Sequence, residues 1–254
     1  MAVTRTNSEG EESAPTWPVQ VQTGEYGKIG VEGLPGELVN IYVSPPNGDV
    51  LFLAVTTSAT GYTFWSIPTQ GPQLQTLGLR AIPAGHIVRT FRSRLLVAAG
   101  ALIYVSEPFS PLYDPMRGYV ALPSRVTMVA PAQGGVYVAT AHKTYWLSGE
   151  NPDDAQLVEV LPYGAPEGTA TGIENTNDVA WFSTRGLVIG TQDGQVKNVQ
   201  EDVVSVGKAS SGAALFREQD GMRQLISTLF GSEGTRAAAS SYFEADVVRK
   251  ENMQ

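Results

Sequence analysis

The sequence predicts an all-β chain: β-propeller-like, about five blades of antiparallel strands, with extended terminal arms. Three observations predict it. Composition comes first: 254 residues, 42% hydrophobic and only 17% charged, with 27 Gly and 16 Pro, describe a folded, turn-rich chain rather than a helical bundle or a disordered one. The second is a recurring hairpin pattern, in which four to six residues rich in Val, Leu, Tyr, Phe or Ala are followed by a short turn and a second β-rich run. The third is the spacing of those hairpins. They begin at Leu51, Leu95, Val136, Val179 and Ala214, at intervals of 44, 41, 43 and 35 residues. That period approaches the roughly 40 to 45 residues of a four-stranded propeller blade.

In chain order, residues 1–23 are expected to be a flexible N-terminal arm, because the opening stretch is rich in Ser, Glu, Thr and Asn. The propeller-like domain is placed at 24–230. It opens on Gly24, Gly27, Gly30, Gly33 and Gly36, a three-residue period of collagen type. Five triplets with one Pro are too few to hold a triple helix, so the tract is expected to be a turn-rich lead-in to the first strands. Between the hairpins, strands are expected at Arg117 to Ala121, Arg125 to Ala130 and Gln156 to Leu161, which supply the remaining strands of each blade. In VYVAT, Val136 and Val138 share one face while Tyr137 and Ala139 take the other. Evenly spaced strands also suit a β-sandwich, and the repeat length is what favours the propeller. Residues 231–254 are expected to form a C-terminal arm, in which FEADVVRK could close the ring or pair with a neighbouring subunit.

Several chemistries are excluded by residue type. Without Cys there is no disulfide, thiolate catalysis, Fe–S cluster or thiolate zinc site. The two His, His86 and His142, are 56 residues apart and belong to no metal-binding motif, so both are expected to be structural. Neither NPDDAQ nor TQDGQ supplies a calcium loop, and Asp193-Gly194 is expected to be a hairpin turn. No nucleophile elbow and no phosphate-binding loop occurs. The carboxylates Glu107, Asp114, Asp153, Asp154, Glu159, Glu167 and Asp178 could in principle pair for glycoside hydrolysis. All lie in Pro- or Gly-rich connections, and the Asp-box hairpin of many glycan-cleaving propellers is absent. No enzyme activity and no cofactor is therefore expected. The aromatics Tyr62, Phe64, Trp65, Tyr104, Phe109, Tyr113, Tyr145, Trp146, Trp181 and Phe182 are expected mostly to fill space between strands, with a sugar-binding platform as the alternative and Tyr113 kept for an interface. The longest apolar run, Leu95 to Val105, is too short to cross a bilayer as a helix, and the polar, acidic first fifteen residues are not expected to be a secretion signal. No membrane insertion is expected. A net charge of −8 disfavours tight nucleic-acid binding but suits a passage through which DNA slides.

SRLLVAAGALIYVSEPFSPLYDP (93–115), GGVYVATAHKTYWLSGENPDD (134–154), LPYGAPEGTA (161–170) and VAWFSTRGLVIGTQDGQV (179–196) resemble the core of tailed-bacteriophage virion proteins. The members concerned are the propeller-like nozzle or hub proteins that close short tails. The resemblance spans about residues 80 to 230 and is one of phrase and rhythm rather than of an invariant motif. It implies a structural tail protein, assembled in the host cytoplasm and carried in the virion. Such a protein forms a homo-oligomeric ring, typically of six copies, at the DNA exit channel, touching portal, adaptor, fibre or other tail proteins while DNA passes transiently and non-specifically. The chain is short for that role, which leaves room for a related minor tail or decoration component. Interface residues are expected at Trp17, Glu107, Phe109, Tyr113, Arg117, Tyr242 and Phe243, and lumen-facing acids at Glu150, Asp153, Asp154, Glu201 and Asp202. The alternative function is a glycan-binding or glycan-cleaving β-propeller used in host recognition. A propeller scaffold for cellular protein partners is a third.

Overall fold

The computed structural model describes residues 1–24, 27–66, 68, 70–149, 154–200, 209–219 and 221–231. They form strands, turns and loops and no α-helix, and every strand pairing is antiparallel. The chain divides into two compact units: Met1–Ile82 with Pro111–Met116, and Pro83–Ser110 with Arg117 onward. The stretch 24–230 expected as the propeller-like domain has parts in both units.

The first unit holds β1 (Ala2–Arg5), β2 (Ile29–Glu32), β3 (Val39–Val43), β4 (Phe52–Thr57), β5 (Gly61–Phe64), β6 (Arg80–Ala81) and β10 (Leu112–Tyr113). Its sheets are β1-β3-β4, β2-β5 and β6-β10. The first two share a core in which Val39, Ile41, Val31, Leu34 and Phe64 are buried. Two expectations are corrected here. The run beginning at Leu51 is not a hairpin, because β4 pairs with β3 while β5 crosses to β2. The N-terminal arm is not free either: Ala2 and Thr4 are each 1% exposed and β1 pairs with Val39 to Tyr42 of β3. Residues 13–19 then fold back along β1, with Ser13, Thr16 and Val19 donating backbone N–H bonds to Arg5, Val3 and Met1. The short alternation AVT, apolar or small on one face, outweighs the polar composition of the residues that follow. The Gly-rich tract contains β2, and Gly33 and Gly36, in the left-handed region at φ +74° and +73°, lie in the connection from β2 to β3.

The second unit is more regular. β7 (Ile87–Phe91), β8 (Arg94–Ala99), β9 (Leu102–Val105) and β11 (Tyr119–Ala121) make one four-stranded sheet in the order β7-β8-β9-β11. β12 (Val126–Pro131), β13 (Val136–Thr140), β14 (Thr144–Ser148) and β15 (Gln156–Leu161) make the next, in sequence order. β16 (Ala170–Gly172), β17 (Val179–Ser183), β18 (Gly186–Gly190) and β19 (Val196–Asn198) repeat the arrangement. A long hairpin, β20 (Ser211–Gln219) with β21 (Met222–Phe230), follows. The expected hairpins at Leu95, Val136, Val179 and Ala214 are β8-β9, β13-β14, β17-β18 and β20-β21, and Asp193-Gly194 turns the chain between β18 and β19.

The first strands of successive sheets are neighbours: β7 lies beside β12, β12 beside β16 and β16 beside β20. The sheets pack face to face. Leu96, Ile103 and Val105 of the first meet Val136, Val138 and Tyr145 of the second. The second sheet's other face, with Tyr137 and Trp146, meets Trp181 and Val188 of the third. Period-2 alternation therefore gives the middle sheet two buried faces, and all five residues of β13 are buried.

At the centre of the second contact three rings converge. Tyr137 lies 4.5 Å from Trp146 and 5.0 Å from Trp181 between ring centroids, both tilted. The Tyr137 hydroxyl is 2.8 Å from the carbonyl oxygens of both Thr191 and Gln195, to which it donates. Burial pushes this phenol up to about 12, against the lowering effect of the Thr191 bond. A Cβ on Gly190 would sit 2.5 Å from the Tyr137 ring and 2.7 Å from the Trp181 ring, so only glycine leaves the cluster room.

Candidate interface

The residues expected at interfaces fall into distinct settings. In the first unit, Trp17 is 71% exposed, and the Arg80 guanidinium sits over its ring at 4.8 Å from the centroid. Arg80 lies opposite Tyr113 in the β6-β10 pair. Trp17 and Tyr113 thus flank one arginine, an amphipathic patch built from segments almost a hundred residues apart in sequence. Trp65, 73% exposed, has a similar cap: Lys28 Nζ stands 4.0 Å from its ring centroid.

In the second unit, Glu107 lies 3.6 Å from the Arg94 guanidinium, and Phe109 stands on the surface at 91% exposure. Phe109 takes a left-handed φ of 55° and donates its N–H to Ser93 O at 2.8 Å. A bulky residue at positive φ, held by a backbone bond and turned out to solvent, gains nothing from packing within the chain. Arg117 is exposed, just before β11, and its carbonyl accepts the Tyr119 N–H at 2.8 Å. Tyr242 and Phe243 lie outside the described residues. So do four of the five acids expected at a lumen, Glu150, Asp153, Glu201 and Asp202; Asp154 is exposed two residues before β15.

The other singled-out residues have local roles. His86 Nε2 is 2.8 Å from Val126 O, joining the approach to β7 to β12, and His142 lies exposed in the β13-β14 turn. Among the carboxylates, Glu159 pairs with Lys143 Nζ at 2.5 Å and Glu167 with Arg125 at 3.5 Å. The pairing holds the Lys143 ammonium above its ordinary range. Asp193 accepts from the Thr191 hydroxyl, which lowers its pKa. No group of three or more His, Asp or Glu that could hold a metal ion occurs among the described residues. Of the aromatics weighed for a sugar platform, Phe64, Tyr145, Trp146 and Trp181 are buried.

Two features escaped the sequence. Glu12 accepts from Thr4 Oγ1 at 3.1 Å, Asn40 Nδ2 at 2.5 Å and Tyr42 Oη at 2.7 Å, pinning the folded-back N-terminus to β1 and β3. Burial first, and the Glu12 carboxylate second, push the Tyr42 phenol well up. A lone Glu in a Ser- and Glu-rich stretch carries no signal of that role. The second is an open apolar face on the final hairpin, where Leu215 is 59%, Met222 63%, Ile226 48% and Phe230 60% exposed. Its signal was present in the alternation of β21, where Met222, Ile226 and Phe230 share a face with Gln224 and Thr228.

No protein-family profile matches this chain. No curated protein sequence matches it either. Among solved structures it is similar to a chain from a complex of S. cerevisiae dbp5 bound to nup159, gle1, IP6 and ADP. That match is 18% identical, has a TM-score of 0.33, and covers 61% of this chain and 48% of the other. It therefore spans about half the length of that chain. At that level the likeness bears on neither fold nor function.

Proposed function

We propose that this chain is a non-enzymatic structural component of a bacteriophage tail, with a propeller-like second unit, that assembles into a ring at the DNA exit channel. The observation that carries the reading is the succession of three four-stranded antiparallel sheets whose first strands stand side by side. That is how blades are placed around a propeller axis. The phrases that resemble nozzle and hub proteins, 93–115, 134–154, 161–170 and 179–196, span the same sheets. The exposed Phe109 and the patch of Trp17, Arg80 and Tyr113 supply aromatic anchors of the sort that protein interfaces use. A net charge of −8 suits a conduit that does not hold DNA.

Light scattering on the purified chain, with electron microscopy of what elutes, tests this. The expected result is a ring with a central channel, or a monomer that forms one when mixed with the other tail proteins. A monomer indifferent to those partners overturns the proposal.

A further inference from the structure

The second unit is a series in which each sheet offers one face to its predecessor and the other to its successor. The first sheet meets the second through Ile103 and Val138, and the second meets the third through Tyr137 and Trp181. The hairpin continues the series. Gly212 N donates to Glu167 O at 2.6 Å, and a Cβ on Gly212 would lie 2.7 Å from Thr169 Cγ2, so this face of β20 is turned to the approach to β16. On that face Phe216 is only 9% exposed.

The series has two ends, and each exposes apolar side chains. At its far end the hairpin turns out the cross-strand pair Leu215 and Ile226, with Met222 and Phe230 on the same face. At its near end the first sheet presents the cross-strand row Val88, Val97, Tyr104 and Tyr119, opposite to the face that meets the second sheet. In that row the edge-strand residues Val88 and Tyr119 are 51% and 43% exposed, Tyr104 is half-buried and Val97 is buried. The hairpin face also carries one charged residue, Arg217, opposite Gln224, while the row on the first sheet has none.

We infer that the outer face of the β20-β21 hairpin packs on the outer face of the β7-β11 sheet of a second copy of this chain, head to tail. The repeat argues for this occupant. Every junction inside the unit sets the trailing face of one sheet on the leading face of the next, and this docking continues that rule across the boundary between copies. A hairpin-to-hairpin dimer would break the rule and leave Val88 and Tyr119 uncovered. Contacts of the head-to-tail kind close into rings when the rotation per subunit divides a full turn. The inference rests on the self-association proposed above and names its surfaces.

The absence of Cys makes the test clean, since introduced thiols are the only ones present. Full-length Tyr119→Cys and Ile226→Cys are treated with a short bismaleimide separately, as an equal mixture, and as the double variant. Val88→Cys serves as a second partner for Ile226→Cys. The expected result is a two-chain product from the mixture, none from either single variant, and a ladder of longer products from the double variant. Cross-linking by Ile226→Cys alone overturns the inference in favour of a two-fold hairpin dimer. A chain that is oligomeric by light scattering yet yields no mixed product overturns it while leaving the tail function standing. A chain that stays monomeric under all conditions, with circular dichroism of the native fold, overturns both.

Discussion

The β12–β15 sheet and the β20-β21 hairpin are built from the same kind of strand, yet they end in opposite environments. In the first, alternation puts apolar side chains on both faces and both faces are covered, so that Tyr137, Val136 and Val138 are at most 2% exposed. In the second, Leu215 and Ile226 share one face with Arg217, Gln224 and Thr228 and remain about half exposed or more. An apolar side chain on a strand is buried only where a neighbour covers its face. An apolar face without one is where association is expected.

This contrast can be broken or sharpened by experiment. The largest effect is expected at the enclosed sheet, where Tyr137→Ala removes the ring that Trp146 and Trp181 pack on and should cost about 3–5 kcal/mol. Urea unfolding reads it as a lower midpoint at unchanged slope. A loss below about 1 kcal/mol would mean that the cluster is not the core of the unit. Next comes Gly190→Ala, whose Cβ would press on both rings and should cost about 1–3 kcal/mol through overpacking, read in the same way.

Alkaline pH should act on the same cluster. An exposed tyrosine ionises near 10, while Tyr137 in the fold holds its proton to about 12. Below pH 10 neither state loses the proton and the stability is fully present. As the pH rises from 10 through 12 the unfolded chain ionises and the folded chain resists, so stability falls. Tyr42, also raised, adds a loss of the same sign. Urea midpoints between pH 9 and 11 should decline in the parent protein and less steeply in Tyr137→Phe.

The smallest effect on stability is expected at the open face. Ile226→Lys should change the unfolding free energy by no more than about 0.5 kcal/mol, because the side chain already stands in water. The same variant should lower the mass seen by light scattering. A cost of 2 kcal/mol or more in the dissociated chain would show that this face is covered by the chain itself, and the comparison would collapse.

Where the sequence was legible, local patterns were sufficient. The hairpins at Leu95, Val136 and Val179 follow from alternation and short turns, which fix a hairpin without reference to the rest of the chain. The Leu51 run had the same look and formed no hairpin, since β4 and β5 find partners in β3 and β2 that compete with pairing each other. The N-terminal strand is obscured in the sequence because its four residues run into a polar stretch, and its tie through Glu12 depends on Asn40 and Tyr42, about thirty residues on. At the candidate interface, Trp17, Phe109 and Tyr113 were visible as aromatics in loop-like contexts, but the Arg80 that links two of them was not.

The sequence by itself determined an all-β chain, the lack of thiol chemistry, and the run of hairpins in the second unit, because composition, residue type and period-2 alternation act over a few residues. Tertiary structure alone decided which strands leave their hairpin, that the chain divides into two units, that Tyr137 stands at the core between Trp146 and Trp181, and which apolar faces stay open. Each of those depends on segments distant in sequence meeting in space, and side-chain burial is a property of that meeting rather than of any strand taken alone.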